Sequence, residues 1–150
     1  MDASASVMHI FVAPLKNAPQ RSVELVDALQ DQGLEGDRNA RPGREPVAQL
    51  TLIEGEHIAA FEKATGYAMR PSEPRRNIVT AGVRLNDLVG KRFRVGEALC
   101  EGLMLCEPCR KFQRATHPEV LRFFAGKGGL RARIVVGGVI RVGDAIAESP

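Results

Sequence analysis

The stretch Lys91-Arg92-Phe93-Arg94-Val95-Gly96-Glu97-Ala98-Leu99-Cys100-Glu101-Gly102-Leu103-Met104-Leu105-Cys106-Glu107-Pro108-Cys109 decides how the chain is read. Lys91 to Val95 and Ala98 to Leu105 are expected strands, and Gly96-Glu97 between them is a hairpin-like turn. Cys106-Glu107-Pro108-Cys109 ends the second strand. A basic helical segment with Arg110, Lys111 and Arg114 follows.

Outward from this hairpin the pattern stays short and β-rich. Towards the C-terminus, His117 to Ala125 is expected to be a helix, with Leu121 and Phe124 at helical spacing, and Gly126 to Gly129 breaks it. Arg131 to Val136 and Val139 to Val142 are expected strands around Gly137-Gly138. Gly143-Asp144 makes a last turn before a ragged tail. Towards the N-terminus, Leu85 to Leu88 reads as one helical turn and Asn77 to Thr80 as a brief strand. Met69 to Pro74 is a loop leading into Arg75-Arg76-Asn77. Glu54 to Gly66 reads as a helix with Ile58 and Phe61 on one face, and Gly66 stops it. Val47 to Ile53 is a strand, and the turn-rich Gly33-Leu34-Glu35-Gly36-Asp37-Arg38 opens a polar stretch to Glu45. For Ser22 to Leu29, periodicity does not choose between strand and short helix. Pro14 to Gln20 is a loop, Val7 to Ala13 a strand, and residues 1–6 a disordered start.

Many short strands and two isolated helices give a mainly β protein with a few short helices. The expected form is a strongly bent, closed or partly closed β-barrel. Strands and long helices do not alternate, which argues against a doubly wound sheet. No linker, repeat or composition shift divides residues 1–150, so one domain is expected, with its core at about 30–145.

Composition narrows the function. With 44% hydrophobic and 26% charged residues, the chain can build an ordinary core. Twenty-one Lys/Arg face eighteen Asp/Glu, a net charge of +3. Arginines concentrate at 38–44, 70–76, 110–114 and 131–133, and their forked guanidinium groups match phosphates and carboxylates. There is no Trp and one Tyr, so base-stacking platforms are scarce and nucleic acid is not an expected partner. No apolar run nears the ~18–20 residues of a membrane span, and Met1 to Val7 lacks the features of a signal peptide. No membrane association and a cytoplasmic location are expected. Three cysteines do not make a secreted disulfide framework.

Cys109 is the first candidate for chemistry, because nearby cations and a helix start favour the nucleophilic, metal-binding thiolate form of a cysteine. A buried, inert cysteine is the plain alternative. Cys106 and Cys100 are expected to be largely buried and less reactive. Cys-x-x-Cys also admits a thioredoxin-like pair, although that fold needs its motif earlier in the chain. Zinc on Cys100, Cys106, Cys109 and His117 is a further reading, without a second Cys-x-x-Cys to support it. Gly33 to Arg38 is neither a Walker loop nor a dinucleotide fingerprint, yet its glycines let backbone N–H groups approach an anion. Arg75-Arg76-Asn77 offers charged and amide donors. These segments and Cys109 are expected to meet at one rim of the barrel. His9, His57 and His117 read as structural or surface residues.

Taken in order, several segments resemble the MOSC family, the domain named for the C-terminal part of molybdenum-cofactor sulfurases. They are Gly33 to Arg38, Gln49-Leu50-Thr51-Leu52-Ile53, Arg76-Asn77-Ile78, Gly82, Leu85 to Gly90, Phe93, Gly96, Glu107-Pro108-Cys109 and Gly138 to Asp144. The resemblance covers about residues 30–145. It implies a bent β-barrel, the pyranopterin molybdenum cofactor as ligand, and a signature cysteine that binds molybdenum or carries sulfur. That role maps onto Cys109, with Gly36, Asp37, Arg38, Arg76, Asn77 and Arg110 as implied cofactor-binding residues. Asn39 stands where such proteins often have histidine. No pyridoxal-dependent sulfurase domain and no additional N-terminal β-barrel are present, so a complete sulfurase is not expected. Two functions follow from the resemblance. One is a minimal molybdenum-dependent reductase of N-hydroxylated or related N–O compounds, with a small-molecule substrate and an electron-donor protein. The other is a carrier that delivers the cofactor or its sulfur to an accepting protein.

Overall fold

The structure is a computed structural model and describes residues 4–150. Of the expected disordered start, residues 1–3 lie outside the described residues, while Ser6 already belongs to a strand. The elements are β1 (Ser6–Val12), β2 (Arg21–Val23), β3 (Leu25–Leu29), β4 (Gly33–Leu34), β5 (Leu50–Glu54), α1 (Gly55–Thr65) and β6 (Ile78–Ala81). They continue with β7 (Arg92–Val95), β8 (Ala98–Leu105), α2 (Arg110–Ala115), α3 (Val120–Phe124), β9 (Leu130–Val136), β10 (Gly138–Arg141) and β11 (Ile146–Ser149).

Alternation explains the sheet. Ala98, Cys100 and Gly102 of β8 and Leu130, Ala132 and Ile134 of β9 are buried, with half-exposed residues between them. A strand's period of two puts each set on one face, where Leu50, Leu52, Phe93, Val95 and Ile140 complete the inner core. β5 is covered on both sides. Leu52 enters the inner core, while Ile53 packs with Ile58, Phe61, Val79, Phe112 and Phe124 beneath the helices. α1 ends at Gly66, whose φ of 78° is the left-handed cap that glycine adopts without strain.

The larger sheet runs β11-β7-β8-β9-β5-β6-β1-β2 and the smaller β10-β3-β4. Among the described strands only β5 and β6 pair in parallel, with α1 as their crossover. The chain is therefore mainly β with a few short helices. Strand pairing does not close the expected barrel, because β11 and β2 are the ends of the larger sheet. The bend instead brings β1 against the turn before β11. Val7 N donates to Asp144 O at 2.9 Å, Gly143 N to Val7 O at 2.8 Å and Ile146 N to Ala5 O at 3.0 Å. Beyond Ile146 the chain pairs with β7, so these bonds form a short seam and not a full ladder.

Four local readings change. Ser22 to Leu29 resolves into strand, within β2 and β3. Val47 and Ala48 sit in a 3-10 turn that Pro46 opens, so β5 begins only at Leu50. Three helices form, not two: α2 stands apart from α3, because His117 to Glu119 turn the chain between them. The ragged tail is β11, anchored by buried Ile146.

Candidate functional site

The end of β1, the starts of β5 and β6, and the end of β8 meet at one edge of the sheet. They surround a polar cleft of about 160 Å³. Arg38, Arg75, Arg76 and Arg131 line it, with Gln20, Thr51, Asn77 and Cys106 between them. Asp37 is the acidic residue of the lining. Its Oδ1 accepts from Ala13 N at 2.8 Å and its Oδ2 from Asn39 N at 3.4 Å, so its charge is engaged by backbone. Arg38 N in turn donates to Ala13 O at 2.8 Å. Asp37 thus pins the glycine-bracketed turn to the end of β1 and leaves the Arg38 side chain exposed.

Asn77 and Thr51 lock the parallel strands. Asn77 N donates to Thr51 Oγ1 at 3.1 Å, and Thr51 N donates to Asn77 Oδ1 at 3.1 Å. Asn77 Nδ2 also donates to Phe11 O at 3.2 Å. One amide therefore ties together β1, β5 and β6, and its role in the fold is structural before any ligand arrives.

Arg76 is buried and likewise bonded to backbone. Its Nε donates to Gly128 O at 2.9 Å, its Nη1 to Pro74 O at 2.8 Å, and its Nη2 to Cys106 O at 3.2 Å and Glu107 O at 3.3 Å. Burial pulls its guanidinium below the ordinary range; the nearby Cys106 and Cys109 thiols oppose that shift and Arg131 adds to it. The expectation that Arg76 grips an anion directly is corrected: four of its five N–H directions are taken by carbonyls. The cations left exposed or half-exposed around the cleft are Arg38, Arg75 and Arg131. Arg75 holds a φ of 59°, an uncommon left-handed conformation for a residue with a side chain.

The three cysteines differ sharply. Cys100 is fully buried in the inner core, and burial pushes its thiol up to about 12. Cys106 is buried and lines the cleft. Cys109 is exposed and caps α2, its Sγ accepting from Phe112 N at 3.5 Å. Phe112 and Phe124 lie 5.5 Å apart, and Phe124 is 5.3 Å from Phe61 of α1, so aromatic packing seats the helix that presents Cys109. No turn folds residues 106–109 back on themselves, which removes the thioredoxin-like arrangement. The zinc reading does not form either: no group of three or more His, Cys, Asp or Glu suited to a metal occurs among the described residues.

The structure thus brings Asp37, Arg38, Arg75, Arg76 and Asn77 into one cleft, as expected. It leaves Gly36, Arg110 and Cys109 outside the lining. Gly36 is an exposed turn residue with φ of 88°, Arg110 projects from α2 into solvent, and Cys109 stands three residues beyond Cys106. Sequence reasoning missed Gln20, Thr51 and Arg131. Thr51 lay within a quoted motif and Arg131 within a noted arginine cluster, but Gln20 carried no signal. None of the three histidines lines the cleft. His117 Nδ1 accepts from Glu119 N at 3.1 Å, and its ring lies 5.4 Å from that of Phe61.

Against protein-family models, residues 39–147 match the MOSC domain. The chain belongs to the MOSC family. The match begins at Asn39, so the Gly33–Arg38 turn precedes the MOSC segment proper although it lines the same cleft. Solved structures agree in fold. YuaD from Bacillus subtilis superposes with a TM-score of 0.79 at 17% identity, covering 96% of this chain and 94% of that one. YiiM from Geobacillus stearothermophilus gives 0.76 at 18% identity, covering 97% and 75%. YiiM from Escherichia coli gives 0.69 at 20% identity, covering 100% and 70%. No curated protein sequence matches the chain. The MOSC family is associated with the molybdenum cofactor, and the donor set of the cleft suits such a group: arginines for a phosphate, the Gln20 amide for a heterocycle edge, and the soft thiol of Cys106 for the metal. No helix among the described residues is long and apolar enough to cross a membrane.

Proposed function

We propose that the chain binds the molybdenum–pterin cofactor in this cleft and acts as a minimal reductase of N-hydroxylated or related N–O compounds. The observation that carries the reading is the convergence of Arg38, Arg75 and Arg131 on a cleft that Cys106 also lines. When bound, the cofactor supplies two-electron chemistry for cleaving an N–O bond. Arg38, Arg75 and Arg131 would hold its phosphate by charge-assisted bonds. Asp37 and Arg76 position the loops, and Gln20 would meet the heterocycle edge. Cys109 would be the metal ligand, as the family's signature cysteine implies. An electron-donor protein completes the cycle in the cytoplasm.

The test is purification from a cofactor-competent host, followed by measurement of molybdenum, pterin and reduction of an N-hydroxylated base. Wild type is expected to carry both and to turn over. Cys109→Ser exchanges a soft ligand for a hard one; it should lose reduction while keeping pterin. If Cys106→Ser abolishes reduction and Cys109→Ser does not, the ligand is the cysteine inside the cleft and the assignment to Cys109 is wrong. Wild type with neither molybdenum nor pterin would reject the reductase.

The exposure of Cys109 favours a second reading. A thiol open to solvent can exchange sulfur or cofactor with an accepting protein. Transient capture of cofactor without turnover would support that carrier role.

A further inference from the structure

Beside the first cleft lies a second, of about 360 Å³, and the two share Gln20 and Arg75 as a common wall. The second falls within the ~300–1,000 Å³ range of small-molecule pockets, whereas the first lies below it and would take only the phosphate end of the cofactor. Arg70, Ser72, Glu73 and Thr116 complete the second. Its one carboxylate is already engaged: Glu73 Oε1 accepts from Tyr67 Oη at 2.6 Å and Oε2 from Arg70 N at 2.5 Å. The Arg70 side chain is 80% exposed and its Nε lies 4.0 Å from Glu73 Oε2, a marginal ion pair. Arg75 has no acidic partner within 4.0 Å among the described residues. The cleft therefore offers positive charge to a ligand. Its shared wall carries the Gln20 amide, whose Oε1 finds no donor in the protein. Rotation of that amide offers either an acceptor or a donor.

We propose that this second cleft is the substrate pocket, and that it selects N–O compounds bearing a carboxylate or another anionic group. The anion lies against Arg70. The N–O end extends past the shared wall towards the cofactor cleft. The proposal rests on the reductase reading and adds the charge of its substrate.

Two neutral-core probes that differ by one charge test it: benzamidoxime and 4-carboxybenzamidoxime, with a reduced viologen as electron source. For molybdenum-loaded wild type, kcat/KM for the carboxylate is expected to be roughly two- to fivefold higher, the scale of one solvent-exposed ion pair, carried by KM. Arg70→Gln, at an exposed position that the fold does not need, should bring the ratio near one. Equal rates for the two probes in wild type, or an undiminished ratio in Arg70→Gln, overturn the proposal while turnover itself upholds the reductase. Calorimetric titration of the same preparations separates the two ideas further. Tighter binding of 4-carboxybenzamidoxime that Arg70→Gln removes supports the pocket whether or not the preparation turns over, while absence of turnover rejects the reductase alone. No binding difference rejects the pocket.

Discussion

Arg76 looks like an anion-binding residue in the sequence and serves as a backbone clamp in the fold. It is 8% exposed, and the loops carrying Pro74, Cys106, Glu107 and Gly128 converge on its guanidinium. Arg76→Ala would leave their carbonyls without donors, at a cost on the order of 3 kcal/mol. At about 2–4 °C per kcal/mol for a chain of this size, the melting temperature should fall by roughly 6–12 °C. An unchanged melt would show that the guanidinium is not needed by the loops. Arg76→Lys should not restore the melt, because an ammonium lacks the planar fork that reaches three loops at once. The thiols differ in the same residue-by-residue way. Alkylation at mildly acidic pH with peptide mapping should label Cys109 first and leave Cys100 unlabelled until unfolding. Burial raises the Cys100 thiol from 9.0 to about 12, so its contribution to stability is present below about pH 9 and is lost as pH rises towards 12. Between pH 9 and 11, wild type should lose stability faster than Cys100→Ala, by at most ~1.4 kcal/mol per pH unit. Equal slopes in denaturant titrations would contradict this.

At the scale of elements, close packing between loops sets the position of the cysteines. A Cβ on Gly128 would stand 2.3 Å from Cys106 O and 2.9 Å from Pro108 N. Both are backbone atoms, so Gly128→Ala must displace the Cys106–Cys109 segment. A destabilisation of roughly 1–3 kcal/mol is expected, with a parallel loss of bound molybdenum and pterin. Full metal content in this variant would mean that the segment can move without consequence. The elements that were legible in the sequence are those with clean alternation, β7, β8 and β9, and the helix α1 with its glycine stop. α2 was legible only as a basic helical segment without bounds, because six residues with a single buried side chain, Phe112, carry too little periodicity to fix its ends. β11 was hidden for a similar reason: Ile146 is its one buried residue.

At the scale of the whole molecule, the open sheet depends on its last strand. Removing residues 144–150 would uncover the edge of β7, withdraw cover from Phe93 and Val95, and take the carbonyl of Asp144 from Val7. Unpaired edges template association, so the truncated chain should aggregate or lose its cooperative melt, as gel filtration and calorimetry would report. A monomeric, cooperative fragment would show β11 to be dispensable. That the expected barrel stays open apart from a short seam was not readable from the sequence, since a seam of three backbone bonds leaves no pattern in side chains. The cleft was readable only in part. The order of the MOSC motifs placed Arg38, Arg75, Arg76 and Asn77 together, but Gln20, Thr51 and Arg131 enter through the register of paired strands, which one sequence does not display.

The parallel β5–α1–β6 unit, continuous from Leu50 to Ala81, sets an order of assembly. Its ends lie close along the chain, so its loop-closure cost is lower than that of the contacts reaching back to Ala13 or on to Arg131. The Thr51–Asn77 lock is therefore expected to form early in folding, with the cysteine segment docking after it. Thr51→Val should mainly slow refolding, and Gly128→Ala should mainly quicken unfolding. During synthesis Arg38, Arg75 and the Thr51–Asn77 lock emerge before Cys106 and Arg131, so the cleft is complete only once β8 and β9 have closed beside them.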